Sequence, residues 1–277
     1  MSEGLPKRLL GRTGIEVSIL ALGGVKYNQL PDAEAAAVVH RAIDLGINYI
    51  DTAATYDQSE WKLGPVVAER RDEVFLASKS RCRDHDGVAA DIESSLKRLR
   101  TDRIDVYQIH QLETAEDWGR CTGMDGALKA LEEARDGGAI RFIGVTGHTD
   151  PDVLALALRE YPLDTVLASL GPMHAAERPF LDTVVSAAEG RGAGVLAMKA
   201  LAYSWLADRP EPALRFTMNQ PGVAAAVVGM ESIEQVEQNV AIARDARPLA
   251  DAERDELLSL ASGRYNDRPK EAWFIHK

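Results

Sequence analysis

Eight short apolar runs, most of them containing β-branched residues, recur along the 277-residue chain: SILAL (18–22), NYIDT (48–52), VFLAS (74–78), DVYQI (105–109), FIGVT (142–146), TVLAS (165–169), VLAMK (195–199) and AAAVV (224–228). None alternates strictly between apolar and polar residues, which is the pattern of strands buried on both faces, as parallel strands are when helices cover them. Helical periodicity fills the gaps. VAADIESSLKRLR sets Ile92, Leu96 and Leu99 at i, i+4 and i+7 and leaves Lys97, Arg98 and Arg100 to water. PDAEAAAVVHRAIDLG begins on Pro31 and Asp32 and stops at Gly46. ESIEQVEQNV opens with Ser232 and Gln235 at capping-box spacing and lines up Val236 and Val240. The count of eight, with no GxGxxG after the first run, favours an α/β fold of the closed (β/α)8 TIM-barrel type over an open doubly wound sheet. KRLLGRTGIEV reads as an N-terminal hairpin capping the barrel bottom, and DAERDELLSLASG as a C-terminal helix followed by a tail with Tyr265, Trp273 and Phe274. No repeat, low-complexity tract or Pro/Ser-rich linker divides residues 1–277, so a single domain is expected.

Apolar residues at 45% and charged residues at 27% supply an ordinary globular core and surface. The formal charge of −11 repels phosphate backbones and anionic lipid, which argues against a nucleic-acid or membrane partner. Cys82 and Cys121 are too few for a disulfide framework or a zinc site and read as free thiols. With no apolar stretch near the ~18 residues of a membrane span and no signal-like start, a cytoplasmic protein is expected.

In such a barrel, chemistry sits where the strands run out into the following loops. Asp51 ends the second run, Lys79 the third and His110 the fourth, and Tyr56 lies on the loop after the second. Each has an ordinary reading: the aspartate as a helix cap, the histidine and tyrosine as rim packing, the lysine as a snorkelling cation. Their convergence from three successive units on one face favours function. A free tyrosine has a pKa of about 10, and a nearby ammonium lowers it. Lys79 does this only while charged, and Asp51 is the partner that keeps it so. A neutral His110 orients a carbonyl and stabilises charge developing on its oxygen.

The stretch GINYIDTAATYDQSE resembles the signature of the aldo-keto reductase family, and FLASKS, IDVYQIHQL, IRFIGVTGH, GVLAMKAL and AAVVGMESIEQVEQNV resemble its later strand motifs in the family's order. The resemblance implies Tyr56 as general acid and base, Lys79 as its neighbour, Asp51 as the lysine's partner and His110 as the carbonyl-orienting residue. It also implies hydride exchange with NADP(H) or NAD(H), without metal or flavin, acting on a small carbonyl or alcohol.

For the nucleotide, the resemblance points to Gly24 and Val25 after the first strand, Asp51, and Thr146 and Gly147 after the fifth. It adds Met198, Lys199 and Leu201 around the seventh, and Gly229, Met230, Glu231, Ser232, Gln235, Gln238 and Asn239 at the eighth. Lys199 and the helix start near Ser232 are suited to a pyrophosphate. Thr146-Gly147 stands where many relatives carry Ser-Asn, and Met198 where many carry a stacking tyrosine, which a thioether replaces. The cations that usually hold a 2′-phosphate are missing, and Glu231 lies among their positions. Against a phosphate at ~4 Å it is unfavourable by about 4 kcal/mol at an effective dielectric near 20. The family expectation is NADPH, while these residues lean to NADH or weak discrimination. Asp57 adds negative charge beside Tyr56. Tyr27, Trp118 and Trp205 are candidate substrate walls, with the aromatic tail as a lid. Two rival readings are a Schiff-base aldolase or isomerase using Lys79 or Lys199, and a barrel that binds nucleotide without turnover.

Overall fold

The computed structural model describes residues 4–175 and 180–266; Trp273 and Phe274 of the expected lid lie outside them. Two short strands, β1 (Lys7–Leu9) and β2 (Glu16–Ser18), pair antiparallel around a turn at Gly11–Thr13. Eight parallel strands then follow: β3 (Leu20–Gly23), β4 (Tyr49–Asp51), β5 (Phe75–Ser80), β6 (Ile104–Ile109), β7 (Ile140–Gly147), β8 (Thr165–Ser169), β9 (Gly194–Met198) and β10 (Val223–Gly229). β10 pairs with both β3 and β9, so the sheet closes on itself as a (β/α)8 barrel. All eight expected strands are present within a few residues of their expected bounds.

The hairpin is a plug as well as a cap. Leu10, Ile15 and Val17 are buried with Tyr49, Ala77, Val106, Leu167, Leu196 and Ala225 in one cluster that fills the barrel. Gly194 opens β9 because Leu10 packs on it; a Cβ there would lie 2.6 Å from the leucine side chain. The helices form where the periodicity places them. His85–Leu99 buries Ile92 and Leu99 and is started by Asp84, whose carboxylate accepts the Gly87 N–H. Ile233–Arg244 is capped by Ser232, which accepts the Gln235 N–H, and buries Val236 and Val240.

Two departures from simple strand-to-helix alternation lie at the mouth of the barrel. The long loop after β6 carries a short helix, Ala115–Cys121, started by Thr114. After β9 the chain makes a tight turn in which Lys199, Ala202, Tyr203 and Ser204 all have positive φ, a conformation costing on the order of 1 kcal/mol or more for each non-glycine residue and concentrated at ligand clamps in folded proteins. Among the described residues no helix is long and apolar enough to cross a membrane.

Candidate active site

Asp51 is the last residue of β4, Lys79 lies near the end of β5, and His110 follows β6 directly, so strand register alone brings them to one end of the barrel. Asp51, Lys79 and His110 are buried to 3%, 1% and 1% exposure. The Lys79 ammonium donates to Asp51 Oδ1 at 2.5 Å and to the Thr52 carbonyl at 2.6 Å. The nitrogen also stands over the Tyr56 ring, 4.8 Å from its centroid, and its charge acts on the phenol. Two of the ammonium's donors thus meet an acid and a carbonyl, while the charge faces the phenol ring. Burial pulls the Lys79 pKa down, but the Asp51 carboxylate and Tyr56 more than offset this and hold it above the ordinary lysine value.

The second Asp51 oxygen accepts from Gln108 Nε2 at 3.0 Å. Gln108 is fully buried on β6, and the sequence reading passed over it. The signal was available: a glutamine inside a run buried on both faces must find a polar partner.

Tyr56 sits on a turn whose N–H donates to the Ala53 carbonyl at 3.0 Å, and Asp57 after it takes φ of +39°. Its ring stands edge-on to the His110 imidazole, with centroids 5.5 Å apart. The direction of the phenol's pKa departs from the sequence expectation. Burial raises it, and the opposing pull of Lys79 does not cancel that rise. Asp57 is exposed to solvent, and Asp51 rather than Asp57 is the carboxylate acting on the phenol. His110 is shifted the other way: burial first, then Lys79, His148, Arg81 and Arg83, hold its pKa well below the ordinary value, so the ring is neutral at neutral pH. The Thr55 hydroxyl meets its Nδ1 at 3.3 Å.

Of the expected nucleotide residues, Gly24 is enclosed: a Cβ there would come within 2.5 Å of Ser59 Oγ and 3.1 Å of the Asp51 carbonyl. Val25 is half-exposed at the barrel mouth. Thr146 Oγ1 accepts the Gln111 N–H at 2.9 Å, and Gly147 is required by Leu154 and the Leu112 carbonyl pressing against it, so both hold the loop after β6 in place. Met198 is buried at the end of β9, with Lys199 and Leu201 beyond it. Met230 is fully buried in the core between barrel and helices, while Glu231 is exposed. Ser232 and Gln235 form the helix cap, Gln238 is exposed and Asn239 buried. Lys26 reaches across Gly229 to within 3.7 Å of the Glu231 carboxylate, a contact between distant segments that the sequence did not reveal.

Two features fit a dinucleotide here. Lys199 is partly buried with no carboxylate partner among the described residues, only the face of Tyr203 at 4.0 Å. Burial, with Lys79 second, pushes its pKa down to about 8. The buried Ser169 hydroxyl, at the end of β8, has no hydrogen-bond partner among the described residues. A cation without a counter-ion and an orphaned hydroxyl are what a bound phosphate and amide would satisfy.

Two of the three aromatic residues expected to wall the substrate are withdrawn into the fold. Tyr27 is fully buried and its hydroxyl accepts from Ser59; Trp118 is buried to 1% exposure with its Nε1 donating to Glu160 at 2.7 Å. Trp205 packs partly buried beside Met173, Ala202 and Leu206. A cavity of about 320 Å³ opens instead beside His110, lined by Arg81, Cys82, Arg83, Asp84, Gln111, Glu113, Asp117 and Arg120. Its wall is polar because it is made from the charged loops after β5 and β6.

A model of the aldo/keto reductase family matches residues 20–212. The chain is 26% identical to YqkF, an uncharacterized oxidoreductase of Bacillus subtilis, over 91% of this chain and 95% of that one. It is also 26% identical to L-galactose dehydrogenase of Arabidopsis thaliana, over 87% and 89% of the two chains. Among solved structures, PA4992 from Pseudomonas aeruginosa superposes with TM-score 0.75 at 33% identity over 87% of this chain and 94% of that chain. The holo form of AKR11C1 from Bacillus halodurans superposes with TM-score 0.78 at 26% identity over 92% and 96%. Barrel, strand-end residues and matched segments agree: the chain belongs to the aldo/keto reductase family, whose members are oxidoreductases interconverting carbonyls and alcohols with NAD(P)H.

Proposed function

We propose that Tyr56 is the proton donor and acceptor of this carbonyl–alcohol interconversion, with Lys79, Asp51 and His110 in supporting roles. The observation that carries it is the buried Lys79 ammonium, held by the Asp51 carboxylate at 2.5 Å and placed over the Tyr56 ring 4.8 Å from its centroid. A bound nicotinamide nucleotide supplies or takes the hydride. Burial keeps Tyr56 as the phenol, which is the form that protonates a carbonyl oxygen, and Lys79 offsets the cost as negative charge develops on the phenol oxygen. Neutral His110 orients the carbonyl without competing for the proton. Lys79 is a poor Schiff-base nucleophile, because Asp51 holds it in the protonated form. Purified protein mixed with reduced nucleotide and a panel of aldehydes, ketones and sugars should consume the nucleotide's absorbance. Tight nucleotide binding with no turnover across the panel would favour the binding-only reading.

Gly24, Ser169, Lys199 and the helix start at Ser232 would hold the nucleotide. Because Lys199 titrates near 8, anion binding should be strongest below that pH and weaken as the cation is lost above it. Nucleotide affinity, followed by fluorescence quenching, is expected to fall by up to about tenfold per pH unit above 8 until the bound form also deprotonates. Lys199→Met should bind more weakly wherever the wild-type lysine is charged and lose this dependence; an unchanged profile would remove Lys199 from the site.

For the choice of nucleotide, Lys26 supplies a cation near the positions where the usual ones are missing, while Glu231 occupies it at 3.7 Å. NADH or weak discrimination follows. Glu231→Gln removes the opposing charge and should improve NADPH affinity about tenfold relative to NADH, equivalent to ~1.4 kcal/mol; equal effects on both would place Glu231 outside the discriminating contacts. The free thiols Cys82 and Cys121 fit a cytoplasmic, reducing location.

A further inference from the structure

Arg83 lies on the loop after β5, where its side chain is only 8% exposed. Its Nη2 donates to the carbonyls of His110 at 2.9 Å and Gln111 at 2.8 Å, and Nη1 donates to the Arg81 carbonyl at 3.0 Å. Its Nε faces the Asp117 carboxylate at 3.7 Å. The arginine's own backbone is tied down, since its carbonyl accepts the Ala127 N–H at 3.0 Å.

The peptide held in this way is the one that carries the imidazole. The His110 N–H donates to the Ser80 carbonyl at 2.8 Å, so β5 fixes one side of the residue and Arg83 the other. Gln111 follows with φ of +53°, a left-handed conformation that non-glycine residues avoid, and its N–H is held by Thr146 Oγ1. In this turn two neighbouring carbonyls point the same way, an arrangement that repels itself unless a donor sits between them. Both bonds come from the two hydrogens of Nη2, while Nη1 holds the Arg81 carbonyl and Nε faces Asp117; a guanidinium spreads these contacts over three nitrogens in one plane, which the single nitrogen of a lysine cannot do.

We propose that Arg83 is a positioning residue for the reaction: by clamping the carbonyls of His110 and Gln111 it fixes the imidazole against Tyr56. The proposal rests on the roles of Tyr56 and His110 given above. The groups facing His110 are Thr55 and Tyr56 from the loop after β4, Lys79 from β5, Arg81 and Arg83 from the loop after β5, and His148 from the loop after β7. The charges that act on the ring are therefore cationic, and Arg83 is one of them. Removing it should raise the ring's pKa modestly, with burial and Lys79 still holding it below the ordinary value.

The test compares the full-length protein with Arg83→Lys and Arg83→Met, measuring melting temperature, nucleotide Kd and the pH profile of kcat. Both variants should lose roughly ten- to a hundredfold in kcat, the scale of a misplaced catalytic group, with nucleotide Kd within about twofold. The acid limb of the kcat profile should move to higher pH in Arg83→Met, because the protonated imidazole is the inactive form, and stay in place in Arg83→Lys, which keeps the charge. Wild-type kcat in Arg83→Lys would overturn the clamp, and should Arg83→Met not fold, that value decides. A kcat loss in Arg83→Met that tracks only the unfolded fraction, with the acid limb unmoved, would also overturn the proposal. NMR titration of the His110 ring gives a readout independent of turnover: shifted ring resonances in Arg83→Lys and a raised ring pKa in Arg83→Met are expected, and unchanged spectra would sink the proposal. If the wild type proves inactive on every carbonyl while these ring shifts appear, the functional reading fails and the positioning role stands.

Discussion

Tyr56→Phe should lower turnover by about 10²- to 10⁴-fold, the range that a positioned proton donor contributes, while nucleotide binding stays within about twofold. The substitution removes a single oxygen. The ring remains to stand edge-on to His110, and the turn around Ala53 and Ser59 is made by main-chain bonds that the substitution leaves alone. The proton is what is lost. The raised pKa of Tyr56 also sets the expected pH dependence. Carbonyl reduction uses the phenol and should hold level through neutral pH, declining only in alkaline solution; alcohol oxidation uses the phenolate and should accelerate as pH rises. Steady-state rates in both directions, with nucleotide Kd measured separately, test the assignment. Full turnover without the hydroxyl would end it.

Lys79→Met should abolish turnover and also destabilise the fold by about 3–5 kcal/mol, the usual consequence of leaving one member of a buried ion pair alone. Asp51 is 3% exposed and would keep only Gln108 as a side-chain partner. The double variant Lys79→Met with Asp51→Leu removes both charges and should regain most of the stability, since apolar replacement of a buried pair is close to neutral. It should stay inactive, because nothing then stabilises charge on the Tyr56 oxygen. Urea unfolding monitored by tryptophan fluorescence reads the first quantity and nucleotide oxidation the second. Wild-type stability in the single variant would mean that the pair is more hydrated than its burial implies. Activity returning with stability in the double variant would reduce Lys79 to a structural lysine.

Much of this site was legible because a barrel converts position along the chain into position in space. Asp51, Lys79 and His110 stand at the ends of three consecutive apolar runs, and once those runs are parallel neighbours their last residues must meet. Tyr56 follows because its loop is short. The same logic failed for aromatic residues on longer loops. Trp118 looked like a pocket wall, but the loop after β6 folds into the helix Ala115–Cys121 and turns the indole into the core toward Glu160. Tyr27 was likewise buried by Ser59, which comes from another unit.

What the sequence determined by itself was therefore the barrel, its strand order and the identity of the residues gathered at its mouth, since these depend on periodicity and register. Only the tertiary structure decided how those residues behave. The net direction of the Tyr56 pKa depends on how burial compares with one ammonium, and burial is a property of everything packed around the ring. The clamp from Arg83 to the His110 and Gln111 carbonyls, and the ion pair of Lys26 with Glu231, join segments far apart in sequence through side-chain contacts that periodicity does not encode. Strand pairing is set by a repeating backbone pattern, whereas desolvation and charge pairing are sums over neighbours that exist only after the chain has closed on itself.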